Sequence, residues 1–251
     1  LCGLVVIDKE GKECSYISRK EGLQNNTVLS LCFDKADNLW VGLDPGIDCV
    51  LFSSPKRMLT DGSNSLGTGY ASAIHGGTLY LGTNQGLYYL ENFNPASSAT
   101  QLKSGIELVE GSLGQVWSLA EVDGELLCCH NRGLFRVEKN RLVPFCEEEG
   151  FWRIRQLDAT RWIAGTYKGF YLIEKGSVTR LEGVEETTLH YEVDALGRIW
   201  FCSSKGLLCI TLEPGETTLS VDTVIAKSVP DYYVNIFRVG ERVLINSTGF
   251  A

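Results

Sequence analysis

Clustered positive charge is the first thing this sequence lacks. Lys and Arg number 23 against 31 Asp and Glu, a formal net charge of −8. Phosphate contacts need gathered Lys and Arg, so no nucleic-acid contact is expected from this segment. Long apolar runs are missing too. No stretch approaches the ~20 residues that span a bilayer. Only three histidines are present, His75, His130 and His190, far apart in the chain. There is no C-x-x-C pair, which removes the usual zinc and thioredoxin readings, and no G-x-S-x-G nucleophile elbow. We therefore expect no catalytic residue, no metal and no cofactor. The opening Leu1-Cys2-Gly3-Leu4 has neither Met nor the basic and apolar regions of a signal peptide. It reads as part of something longer.

What is present is glycine, 27 residues of it, and a repeat. Short apolar runs ending in a small residue, a polar turn and Gly plus an apolar residue recur along the chain. Their anchors are Gly3, Gly46, Gly86, Gly133, Gly169, Gly206 and Gly249, spaced by about 41 residues. That period fits either helical repeats or propeller blades, but the segments are too short and too rich in β-branched and aromatic residues for helices. The expected fold is all-β, a β-propeller of four-stranded antiparallel blades with six repeats visible, filling residues 1–251 as one domain. First strands are expected at 28–34, 71–74, 116–119, 152–155, 190–193 and 233–237, with an outer strand at 13–17. Trp40, Tyr80, Trp162 and Trp200, on second strands, are expected in the core. The nine cysteines sit mostly among Val, Leu and Ile, and we expect them buried and unpaired. Cys128 and Cys129, adjacent in a strand, should point to opposite faces.

Asp34–Ile47 and Asp194–Leu207 are near copies of the pattern D-x-x-G-x-L-W-x-G-T-x-x-G-L. It resembles the two-component regulator propeller repeat. Gly22–Leu31, Leu66–Tyr70, Leu79–Tyr89 and Gly114–Leu119 are similar to segments of the membrane-anchored sensor regulators of polysaccharide-degrading bacteria. The resemblance implies seven blades per propeller and two propellers in tandem. An immunoglobulin-like domain, a transmembrane helix and a histidine kinase or helix-turn-helix output would then lie outside this segment. It also implies a periplasmic sensor of oligosaccharides that works as a homodimer and meets the membrane only through that absent helix. Two other readings remain open here, a non-catalytic dimerisation scaffold of the same sensor and a propeller lyase or lactonase.

In a propeller, the loops leading into the first strands gather on one face. Aromatic residues recur there, and flat rings suit the apolar faces of sugars while Arg can satisfy hydroxyls or acidic groups. The candidate ligand-binding residues are Tyr70, Trp117, Trp152, Arg153, Arg155, His190, Tyr191 and Tyr233.

Overall fold

The computed structural model describes residues 3–52, 66–93, 106–148, 150–225 and 235–246. Contacts within it divide the chain into two compact units, Leu1–Leu66 with Asn92–Ile106, and Gly67–Glu91 with Glu107–Ala251.

The first unit pairs β1 (Leu4–Ile7) with β2 (Glu13–Ile17), and builds a three-stranded sheet from β3 (Val28–Phe33), β4 (Leu39–Leu43) and β5 (Gly46–Val50). Leu39, Val41 and Leu43 alternate along β4 and pack with Leu4 and Leu23. The opposite face carries Trp40, which is 47% exposed, in register with Cys32 on one side and Cys49 on the other. Both cysteines are exposed and free, against the expectation of burial. Trp40 departs from its expected core position as well. Its indole lies over the turn before β4, where the carboxylate of Asp34 accepts its N–H at 3.0 Å.

The second unit holds four sheets, each an antiparallel meander of four strands. They are β6 (Gly69–His75), β7 (Thr78–Thr83), β8 (Leu87–Leu90) and β9 (Glu107–Leu108); β10 (Val116–Val122), β11 (Glu125–His130), β12 (Gly133–Glu138) and β13 (Arg141–Cys146); β14 (Phe151–Gln156), β15 (Arg161–Thr166), β16 (Gly169–Glu174) and β17 (Ser177–Arg180); and β18 (Tyr191–Val193), β19 (Ile199–Ser203), β20 (Gly206–Thr211) and β21 (Ser220–Ile225). A last pair, β22 (Asn235–Val239) and β23 (Arg242–Asn246), follows. The first strands β6, β10, β14, β18 and β22 lie beside one another in that order. This is the arrangement of propeller blades around an axis. Between β10 and β11, Asp123 and Gly124 both take positive φ (51° and 81°), as a two-residue hairpin turn of type I′ requires.

The core is a series of layers between successive sheets. Along β11, Leu126 and Cys128 join Tyr80, Leu87 and Val116 in one layer, while Leu127 and Cys129 join Phe151, Ile154 and Ala164 in the next. A sheet buried on both faces needs an unbroken apolar run, and Leu126-Leu127-Cys128-Cys129 supplies it. The two thiols therefore do point apart, and burial pushes Cys129 up to about 12. The third layer centres on Phe170, Tyr191 and Phe201, all fully buried, with Phe170 set edge-on to both other rings. A smaller layer of Cys202, Leu207 and Ile236 joins β22 to the preceding sheet.

Candidate ligand-binding face

The first strands β6, β10 and β14 share a defect that β18 and β22 lack. Pairing to the second strand slips by one residue between Gly69 and Ala71, between Val116 and Ser118, and between Phe151 and Arg153. Each slip is a β-bulge, and the extra residue is Tyr70, Trp117 or Trp152. A bulge takes one side chain out of the alternation that would send it into a core layer and re-aims it. In β3 of the first unit the same slip, between Val28 and Ser30, releases Leu29, which is exposed.

The three bulged rings meet. Tyr70 stacks on Trp117 with centroids 5.2 Å apart and an interplanar angle of 28°. Trp117 lies 4.8 Å from Trp152, and Trp152 lies 4.5 Å from Tyr167. The indole N–H of Trp117 donates to the Tyr167 hydroxyl at 3.2 Å, and that of Trp152 to the Thr187 hydroxyl at 3.1 Å. Tyr167 lies in the turn between β15 and β16, and it can lie flat because residue 150 is glycine. A Cβ on Gly150, whose φ is +68°, would sit 2.3 Å from the Tyr167 ring. The result is a ladder of four aromatic rings, with Tyr70 exposed and the others half-buried. Beyond Tyr167 opens a cavity of about 320 Å³ lined by Glu148, Thr166, Tyr167, Lys168, Tyr171 and Arg180.

The other sequence candidates separate. Tyr191 is fully buried and belongs to the core; its hydroxyl donates to the carbonyls of Arg153 at 3.0 Å and Ile163 at 2.9 Å. His190 is half-buried at the start of β18, and its carbonyl accepts the Cys202 N–H. Arg155 is ion-paired to Glu192 at 2.7 Å, a carboxylate that is nearly buried. The guanidinium of Arg153, next to Trp152, makes no hydrogen bond or ion pair with the described residues; the backbone carbonyl of Arg153 accepts from Tyr191. Tyr233 lies outside the described residues. The structure therefore brings together Tyr70, Trp117 and Trp152 and adds Tyr167, Thr187 and Lys168. Tyr167 and Lys168 occupy a polar turn whose sequence, Thr166-Tyr167-Lys168-Gly169, carries no recognition signal of its own. Among the described residues no three His, Cys, Asp or Glu side chains gather as a metal site, and no helix is long and apolar enough to cross a membrane.

Residues 22–44 match the family model described as two component regulator propeller. The fold is that of a propeller, and this one segment is similar to a two-component regulator propeller repeat. Solved structures of similar fold include the extracellular domain of the hybrid two component system BT4673 from B. thetaiotaomicron, at 13% identity and a TM-score of 0.58 over 99% of this chain and 37% of that one. The extracellular domain of BT3049, from the same organism, matches at 17% identity and a TM-score of 0.50 over 93% of this chain and 34% of that one. The WD40 propeller of Doa1 matches at 16% identity and 0.51 over 89% of this chain and 77% of that one. This chain thus spans about a third of the two extracellular domains, and at such identities the likeness is one of fold. No match was found among curated proteins.

The regulator repeat has a physical logic. Its Asp clamps the turn ahead of the second strand. Asp34 accepts the N–H groups of Ala36 and Asn38, the Asn38 amide and the Trp40 indole; Asp194 accepts those of Leu196 and Arg198, the Arg198 guanidinium and the Trp200 indole. These hydrogen bonds, led by the Asn38 N–H, hold the Asp34 carboxyl down at about 2. At Asp194 burial pushes upward, but the bonds from Trp200 and Arg198 outweigh it and keep the carboxyl below its ordinary range. The repeat's Thr staples the next turn. Thr83 and Thr166 each accept an N–H two residues on and donate to the carbonyl three residues on. In one blade His130 takes this place. Its Nδ1 accepts the Arg132 N–H, which leaves the proton on Nε2, 3.3 Å from the Ser112 carbonyl. Burial lowers this imidazole to about 4, so it stays neutral at physiological pH.

Replacing Asp194 by alanine leaves the Trp200 indole and two backbone N–H groups without their acceptor and is expected to cost about 2 kcal/mol at pH 7. A carboxyl lowered by folding contributes stability above its unfolded value of about 4 and loses it as pH falls below that. The gap between wild type and Asp194→Ala in urea denaturation should therefore shrink from pH 7 to pH 3.

Proposed function

We propose that this chain is the extracytoplasmic, periplasmic sensing part of a transmembrane transcriptional regulator, and that it detects an oligosaccharide. The observation that carries the reading is the ladder of Tyr70, Trp117, Trp152 and Tyr167. Three of its rings sit at bulges that remove them from the core layers, so packing alone does not require aromatic residues there. A row of rings, Tyr70 exposed and the two indoles and Tyr167 half-buried, matches the apolar faces of successive sugar rings, and the polar cavity beyond Tyr167 offers partners for hydroxyls. The regulator repeat and the fold shared with two extracellular domains of two-component systems support an extracytoplasmic place in signalling. Binding would favour one arrangement of a homodimer, and the bias would reach a histidine kinase or a DNA-binding domain through a membrane helix beyond this segment. A ligand can move that equilibrium only by its differential affinity for the two arrangements.

The test is a thermal-shift screen of this chain against neutral and acidic oligosaccharides, followed by calorimetry on any member that raises the melting temperature. A ligand present at about 100 times its Kd stabilises the fold by roughly 2.7 kcal/mol, which such a screen detects. The reading expects at least one binder. A flat response across the panel overturns it.

A further inference from the structure

Two arginines leave the same face of β14, on either side of Ile154, and among the described residues only Arg155 is ion-paired. Arg155 has Glu192, which also accepts the Val193 N–H. Among the described residues no carboxylate is ion-paired to Arg153. The charged and titratable groups around its guanidinium are Arg155, Tyr191, Glu192 and Cys129. Glu192 is already engaged by Arg155. The Tyr191 hydroxyl gives its proton to the backbone, one of its acceptors being the Arg153 carbonyl itself. The Cys129 thiol is buried and held protonated. A half-buried guanidinium with its donors unmatched is costly to fold, and burial with the Arg155 charge beside it acts against its positive form. Its place explains what it could do. Arg153 follows Trp152 directly, so the unpaired cation leaves the chain one residue from the middle of the aromatic ladder.

We propose that Arg153 receives the carboxylate of a uronic acid whose ring lies on Trp117 and Trp152, so that the ligand is an acidic oligosaccharide. This deepens, and rests on, the glycan reading above. A planar guanidinium matches a carboxylate through two parallel N–H bonds, a geometry that a neutral hydroxymethyl group at the same ring position cannot reproduce.

The experiment measures affinity by calorimetry for oligogalacturonate, alginate and hyaluronan oligosaccharides, each beside its carboxyl-reduced neutral form. At least one acidic member is expected to bind tenfold or more tightly than its reduced partner, with the preference shrinking as sodium chloride is raised. In Arg153→Gln the two forms should bind alike. Arg153→Lys, which keeps the charge without the fork, should retain only part of the preference, and circular dichroism checks that both variants fold. Equal binding of acid and reduced forms to the wild type overturns the proposal, as does a preference that survives Arg153→Gln. If only neutral sugars bind, the acidic ligand is wrong and the glycan reading stands. If no sugar binds, both fall.

Discussion

Replacing Phe170 by alanine is expected to lower the stability of the chain by about 3–5 kcal/mol, the cost of removing a fully buried aromatic ring and leaving a cavity. Phe170 lies on β16 with no exposure, its ring edge-on to Tyr191 at 5.0 Å and to Phe201 at 5.6 Å. Those partners belong to the next sheet, so the substitution strikes the layer that joins β14–β17 to β18–β21 rather than either sheet alone. In a structure where each unit meets only its neighbours, stability is close to a sum of units and interfaces, and one weakened interface can let the sheets unfold in steps. Urea denaturation followed by tryptophan fluorescence and by circular dichroism should give coincident curves for wild type and separated ones for Phe170→Ala. Phe170→Leu, which keeps most of the volume, should cost less than half as much. A loss under 1 kcal/mol for Phe170→Ala would show that the layer closes over the gap.

The second large effect is on binding. Trp117→Ala and Trp152→Ala are each expected to weaken the oligosaccharide found in the screen by about a hundredfold, or roughly 2.7 kcal/mol. Both rings stand in the middle of the ladder, and removing either interrupts it. Their effect on stability should be small beside that of Phe170, because bulged side chains lie outside the core layers. Gly150→Ala provides an independent arm. It removes no ring, yet the new methyl group would meet the Tyr167 ring and displace it from Trp152. A drop in affinity in all three variants assigns the ladder as the contact, with little cost in melting temperature in the two tryptophan variants and a loss of about 1 kcal/mol or more in Gly150→Ala, where φ is +68°. Unchanged affinity in the two tryptophan variants would leave the glycan to bind elsewhere.

The blade repeat was legible in the sequence because strand alternation and turn chemistry are local. Val28–Phe33, Glu13–Ile17 and Val116–Val122 fall at or within a few residues of where the pattern put them. The opposed thiols of Cys128 and Cys129 followed from the same alternation. The aromatic residues ahead of the first strands were visible too, although the reason they face outward was not. A bulge is a property of the pairing between two strands, and neither strand alone records it. The same limit hid Tyr167, whose part in the ladder depends on Gly150 leaving room for it, and it hid the difference between Arg153 and Arg155, which is decided by Glu192 on a neighbouring strand. Trp40, Cys32 and Cys49 were misplaced because alternation says that they share a face but not whether anything covers it.

The bulge also bears on how such a protein can change its ligand. In β3, β6, β10 and β14 it isolates one residue from the constraints that govern its neighbours, since the flanking positions are tied to the core layers and to the ladder of backbone hydrogen bonds. Leu29, Tyr70, Trp117 and Trp152 are the occupants in this chain. Descendants of one propeller could exchange these residues freely, aromatic for aliphatic or polar, while every blade folds as before. Taste for a ligand would then drift much faster than architecture, and chains with nearly the same blades would answer to unrelated molecules.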